Sequence, residues 1–189
     1  MAPPRQLARI RRYGAGCLRR LARESEPGAP ETTELLDLMW RTLVDDGGVG
    51  LAAPQIGIDR RVVVIRDPSL PERRQRLDLV NPRLDETYGP EEPFSEGCLS
   101  FPGLYIEVWR RRGAQITYHD RDGRRQTLRD SGLIARIAQH ELDHLDGVLF
   151  IDRISRLRRW ALQPRLLLIM AGDLLRRRRK PARTRGPGE

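Results

Sequence analysis

Apolar positions recur at helical spacing in one stretch near the N-terminus, where Leu35, Met39 and Leu43 fall four apart with Leu36, Trp40 and Val44 beside them. An apolar stripe on an otherwise polar segment is the mark of an amphipathic helix. Thr32 or Thr33 would cap it, and Asp45-Asp46-Gly47-Gly48 would stop it. The preceding Glu24 to Glu31 (ESEPGAPE) is polar and rich in Pro and Gly, so it reads as a loop. Beyond the Gly-rich stretch the pattern changes. Arg61 to Ile65 (RVVVI) is short and β-branched, the pattern of a buried strand. Leu77 to Val80 predicts a strand ending before Asn81-Pro82, and Leu104 to Trp109 and Gln115 to His119 predict two more. A turn at Asp120-Arg121-Asp122-Gly123 leads into a last strand at Gln126 to Leu128. Leu133, Ile134, Ile137, Glu141 and His144 follow helical spacing from a Ser131 cap to Gly147. A final amphipathic helix starts near Ser155 and tolerates or kinks at Pro164. There is no internal repeat. The expected class is α+β, with short, mostly antiparallel strands around one central helix and a second helix at the C-terminus.

With 189 residues, 39% hydrophobic and 32% charged, the chain can bury one core without a covalent staple and is not a disordered polymer. Two cysteines, Cys17 and Cys98, are too few for a disulfide framework and suit a reducing cytoplasm. The longest aliphatic run, Leu166 to Ala171, is far short of the ~20 residues that span a bilayer. The N-terminal stretch before Glu24 has several arginines and no acid, a faint transit-peptide pattern, yet it contains no serine. The net charge of +9 is lopsided: from Arg153 onward 12 basic and 2 acidic residues give +10, leaving −1 on the rest. Basicity therefore speaks of the tail, which could meet a polyanion, and not of the body. The division expected is 1–163 as the catalytic body and 164–189 as a helix and basic tail.

The sharpest chemical signal is His140-Glu141-Leu142-Asp143-His144, which holds two of the chain's three histidines. Residues four apart share a helix face, so both imidazoles can reach one metal ion, and the adjacent glutamate can take a proton from water at that ion. A catalytic site of this kind needs a third protein ligand. The extended pattern HExxHxxGxxH fails, because its last position is Phe150, and the only acids after Asp152 are Asp173 and Glu189. The ligand must lie upstream, at Cys98, Cys17 or His119, and Cys98, in a loop between Pro93 and Pro102, is preferred. A third segment, Gly48 to Gln55, combines small residues that allow close backbone approach with an amide able to donate to an oxyanion. It lacks the Lys-Ser/Thr of a phosphate loop.

Together GVGLAAPQ (Gly48–Gln55), EGCLS (Glu96–Ser100) and QHELDHLDG (Gln139–Gly147) resemble the three motifs of the peptide deformylase family, in the same order. The resemblance extends over the approach to the first helix (Tyr13 to Ala22) and the Asp120–Gly123 hairpin, in all from about Ile10 to Ile154. It implies removal of the formyl group from the initiator formyl-methionine of nascent polypeptides, with release of formate. Cys98, His140 and His144 would then hold one divalent metal. Fe2+ is the ion the family implies, with Zn2+, Ni2+ or Co2+ able to replace it. Metal-bound hydroxide would attack the formyl carbon, with Glu141 as general acid and base and with Gln55 and the backbone N–H of Leu99 receiving the oxyanion. The peptide would lie extended beside Val49 and Gly50, and its methionine would enter a pocket including Leu133 and Ile137. Arg136 would border that pocket. The resemblance also implies a ribosome-facing C-terminal helix, whose arginine run Arg176–Lys180 would meet ribosomal RNA. Two rivals from other classes are a metalloprotease and an RNA-binding module with a degenerate metal site.

Overall fold

The computed structural model describes residues 7–71 and 75–179, with side chains to residue 175. Five antiparallel strands form one sheet in chain order: β1 (Gly50–Ala52), β2 (Val62–Arg66), β3 (Arg76–Gly97), β4 (Tyr105–His119) and β5 (Arg125–Asp130). Helices α1 (Pro30–Asp45) and α2 (Leu133–Leu145) pack against it, and α3 (Arg156–Ala161) and α4 (Gln163–Arg179) follow. The α+β class expected from the pattern is the class observed, with α2 carrying the HExxH residues and α4 as the C-terminal helix.

β2 explains why RVVVI is an unbroken apolar run. Val63 and Ile65 face a cluster with Ala138, Leu142 and Leu145 of α2, whereas Val62 and Val64 face Leu36, Met39 and Leu43 of α1. Alternate side chains of a strand point to opposite faces, so a strand covered on both sides needs apolar residues throughout. A third cluster joins Leu18, Phe101, Leu104, Val108, Phe150, Ile151 and Leu166.

Several boundaries differ from those the pattern predicts. β3 does not stop at Asn81-Pro82. Asn81 takes a left-handed φ of 50°, which asparagine tolerates better than most residues, and its side-chain amide brackets the backbone of Ser25 at 2.8 and 2.9 Å. The ladder shifts register between Val80 and Arg83 and then continues. The two strands expected around residues 104–119 are one strand, β4, because Arg110 points inward to a buried carboxylate and does not mark a loop. α1 starts at Pro30 and not at a threonine cap: Pro occupies its first position and Thr32 Oγ instead donates to the Glu26 carbonyl at 2.8 Å. α2 is preceded by Gly132, and Asp130 Oδ1, not Ser131, accepts the Ala135 N–H at 2.9 Å. At the C-terminal end Ser155 does cap α3, but the helix breaks at Leu162 and restarts as α4, with Pro164 in its first turn.

The N-terminal segment ties the core together near the cleft, since Arg11 N donates to Gln55 O, Tyr13 N to Ser100 O and Ala22 N to Leu145 O. α4 is docked on this framework. Its Leu166 is fully buried, and Asp173, 5% exposed, accepts from Arg9 at 3.0 Å. The expected boundary between 163 and 164 thus falls in the first turn of a helix that adds a side chain to the core. Leu166→Ala should cost about 2–5 kcal/mol, the usual range for emptying a buried leucine site. Denaturant unfolding would detect this, and unchanged stability would mean that α4 does not dock.

Candidate metal centre

α2 is unusual in what it buries. From Ala135 to Leu145 every residue is buried, including Arg136, Gln139, His140, Glu141, Asp143 and His144. Burying so many polar groups is costly unless each finds a partner, and tracing those partners defines the site.

The Sγ of Cys98, just past the end of β3, lies 3.2 Å from His144 Nε2. One ligand atom each from Cys98, His140 and His144 fall within 4.8 Å of one another. A thiol and two imidazoles are a donor set suited to zinc or ferrous iron. His140 Nδ1 lies 2.9 Å from Glu96 Oε2, which leaves Nε2 for a metal; a carboxylate behind a histidine ligand commonly orients the ring in this way. Burial works against a charge on His140, but Cys98, Glu96 and Glu141 overcome it and raise its pKa to about 10. The same anionic surroundings would favour a metal cation at this point. His144 is pushed the other way, towards neutral imidazole, by burial and by the charges of His140, Arg110 and Arg19. The residues present therefore fit a divalent ion.

Glu141 sits beside the ligands. Its Oε2 is buried and has no hydrogen-bond partner among the described residues. Burial, offset by His140 and reinforced by Glu96, lifts its carboxyl to about 7, close to the pH at which a group both takes and returns a proton. Gly50 of β1 makes room for it: a Cβ at that position would stand 2.4 Å from Glu141 Oε1 and 2.8 Å from Ile137 Cγ2. Gln55, in a 3-10 turn after β1, has its amide held by the Ala52 N–H at 2.7 Å. Its Nε2 lies 3.4 Å from Cys98 Sγ, an ordinary distance to sulfur, and 3.4 Å from Ser100 Oγ, a long one to oxygen. The Leu99 backbone N–H meets no acceptor among the described residues.

A cleft of about 1300 Å³ opens over these groups. Val49, Gly50, Gln55, Cys98, Leu99, Leu133, Ile137, His140 and Glu141, all singled out from the sequence, line it, and His144 lies beneath, 1% exposed. Cys17 packs against the third core cluster and His119 ends β4; neither lines the cleft.

The sequence reading left one layer without a role. Glu96 receives Arg110 at 2.7 and 3.1 Å as well as His140, and Arg110 continues to Asp143 of α2 at 2.8 Å. Asp143 is paired in turn with Arg153. Burial raises the Glu96 pKa, but its bonds to His140 and Arg110 hold it down at about 2. Arg136, expected only to border the pocket, also joins this layer, at 3.1 Å from Glu96. The available signal was the alternation along β4, which puts Arg110 on the same face as Val108.

Comparison with known proteins places these features in a family. The polypeptide deformylase family model matches residues 7–160. A peptide deformylase of Christiangramia forsetii is 37% identical over 174 residues, spanning 86% of this chain and 89% of that protein. One from Methylocella silvestris is 44% identical over 147 residues, spanning 75% and 74%. Among solved structures, the peptide deformylase of Synechococcus elongatus in complex with actinonin superposes with a TM-score of 0.79 at 38% identity, covering 87% of this chain and 89% of that one. That of Legionella pneumophila gives 0.81 at 35% identity, covering 93% and 100%.

The crowding at Gly50 yields a test. Gly50→Ala should displace the Glu141 carboxylate and lower turnover while leaving the metal content unchanged, as metal analysis beside a rate assay would show. Undiminished turnover would mean that Glu141 need not sit where it does.

Proposed function

The chain belongs to the peptide deformylase family of metal-dependent hydrolases, and on that premise we propose how its own residues remove the formyl group from N-formyl-methionyl polypeptides. One observation carries the reading: a thiol and two imidazoles converge beside a buried carboxylate, one of whose oxygens has no hydrogen-bond partner among the described residues, all at one cleft. Cys98, His140 and His144 are the ligands. A divalent ion held by them supplies Lewis acidity, which makes water a nucleophile near neutral pH. Fe2+ is the ion proposed, with Zn2+, Ni2+ or Co2+ as substitutes; the mixed sulfur and nitrogen donors suit all four.

The peptide lies extended along β1, beside Val49 and Gly50, with the methionine side chain against Leu133 and Ile137. Glu141 takes the proton of the attacking water as oxygen bonds to the formyl carbon. The carbonyl electron pair moves onto the formyl oxygen, where the Gln55 amide and the Leu99 N–H receive it. The position of Gln55 Nε2, 3.4 Å from Cys98 Sγ, supports this role, since it places an amide donor directly beside the ligand set. When the carbonyl re-forms, the C–N bond breaks, Glu141 passes its proton to the amine nitrogen, and formate and a free N-terminus result.

Glu141→Ala should keep one metal per chain and lose ~10²–10⁴ in rate, the usual contribution of a positioned acid–base group. Cys98→Ala should lose the metal itself, since two imidazoles make a poor site. Metal analysis of both variants, with formate release from a formyl-methionyl peptide, checks the pair. Normal turnover by the first, or tight metal retention by the second, would contradict the assignment.

The proposed setting is the cytoplasm, and among the described residues no helix is long and apolar enough to cross a membrane. The proposed partner is the ribosome, met through the basic C-terminus. The backbone of α4 runs to Arg179; the side chains of Arg176 to Arg179 and all of residues 180–189 lie outside the described residues. Because Leu166 and Asp173 of α4 are buried, the informative truncation ends at Leu175, keeping both. That shortened chain should deformylate short peptides like the full one and lose ribosome co-sedimentation at low salt. Binding by the full chain should weaken with salt by about 0.7–0.9 in log–log slope per neutralised phosphate. Equal co-sedimentation of the two would remove the tail from the account.

A further inference from the structure

Arg136 stands one turn before His140 on α2, and it is buried although it carries a full charge. Its guanidinium reaches three acceptors on the two long strands: Glu92 O at 2.8 Å and Glu96 Oε1 at 3.1 Å on β3, and Val108 O at 3.2 Å on β4. It also lies over the Phe94 ring, 5.3 Å from the centroid. All the β3 partners fall within Glu92 to Glu96, the stretch that leads directly into Cys98.

The ligands come from two elements. His140 and His144 ride on α2, and Cys98 follows β3. Their separation must be held by something other than the ligands themselves, and near Cys98 two arginines do this. Arg110 reaches from β4 to Glu96 and to Asp143 of α2. Arg136 reaches from α2 to β3 and β4. A planar guanidinium suits this task, because its several N–H groups can satisfy divergent acceptors in one fixed geometry.

We infer that Arg136 is a positioning residue: by pinning Glu92–Glu96 of β3 to α2, it sets the placement of Cys98 relative to the two histidines and steadies the Glu96 carboxylate behind His140. This rests on the ligand reading above. A merely structural cation would support folding without bearing on ligand geometry.

The test uses protein loaded with Co2+, whose visible bands report donor identity and geometry, together with the rate at which a chelator removes the metal. Arg136→Met keeps the apolar stem and removes the charge and its hydrogen bonds. Arg110 still pairs with Glu96 in that variant. The expected result is a shifted cobalt spectrum and metal release faster by about 10-fold, the lower end of what losing a support behind the ligands does. Arg136→Lys, able to satisfy fewer of the acceptors, should fall between the two. If Arg136→Met does not fold, Arg136→Lys carries the same test against the wild type. A wild-type spectrum and wild-type metal release in a folded variant, even one of lowered melting temperature, would overturn the inference. Wild-type protein that takes up no cobalt would overturn the ligand reading itself.

Discussion

The buried carboxylate of Glu96 is the constraint around which the site is organised. A carboxylate removed from water is stable only when its lone pairs are answered by hydrogen-bond donors, and here Arg110, Arg136 and His140 answer them. The donors come from two other elements: Arg110 from the neighbouring strand β4, Arg136 and His140 from the helix α2. Satisfying one charge therefore clamps the sheet to the helix. The chain of alternating charges runs on from Arg110 to Asp143 and out to Arg153. Removing one member of a buried pair typically costs about 3–5 kcal/mol, because the other is left unpaired. Such an arrangement adds little net stability, but it ties the end of β3 and the middle of β4 to α2 beside Cys98, His140 and His144. That is what a site with ligands far apart in sequence requires.

Around this clamp the electrostatics divide the labour. The anionic neighbours of His140 favour positive charge at that point, whereas His144 is driven towards the neutral form. Glu141 of α2 is raised where Glu96, at the end of β3, is lowered. The difference lies in partners: Glu96 has two guanidinium donors and the His140 imidazole, and one oxygen of Glu141 has none among the described residues. One carboxylate is thereby held as an anion behind His140, and the other is left suited to the proton transfer proposed for it. β1 completes the arrangement by offering glycine where any side chain would meet Glu141.

Much of this was legible in the sequence, for physical reasons that can be stated. The helical placement of His140, Glu141 and His144 follows from four-residue spacing, whereas the absence of a downstream ligand narrowed the third only to Cys98, Cys17 or His119, of which Cys98 lines the cleft. β2 was readable because a strand covered on both faces must be apolar throughout. The merged strand β4 was not, because charge in Arg110-Arg111-Arg112 mimics a loop when the buried partner of Arg110 lies 14 residues away. Asn81-Pro82 misled in the same way: a left-handed asparagine braced by Ser25 carries the ladder past a stop signal. The cap of α1 was misplaced because Pro30 at the first position served where a threonine was expected. Local pattern records what a residue prefers, and the outcomes at Arg110 and Asn81 were decided by a distant partner.

The central claim is that Cys98, His140 and His144 share one metal ion. X-ray absorption at the edge of the bound metal, on protein purified without oxygen, tests it most directly. The account predicts one sulfur donor and two imidazole nitrogens, the remaining donors being oxygen. A shell without sulfur, or with two sulfurs, would contradict it.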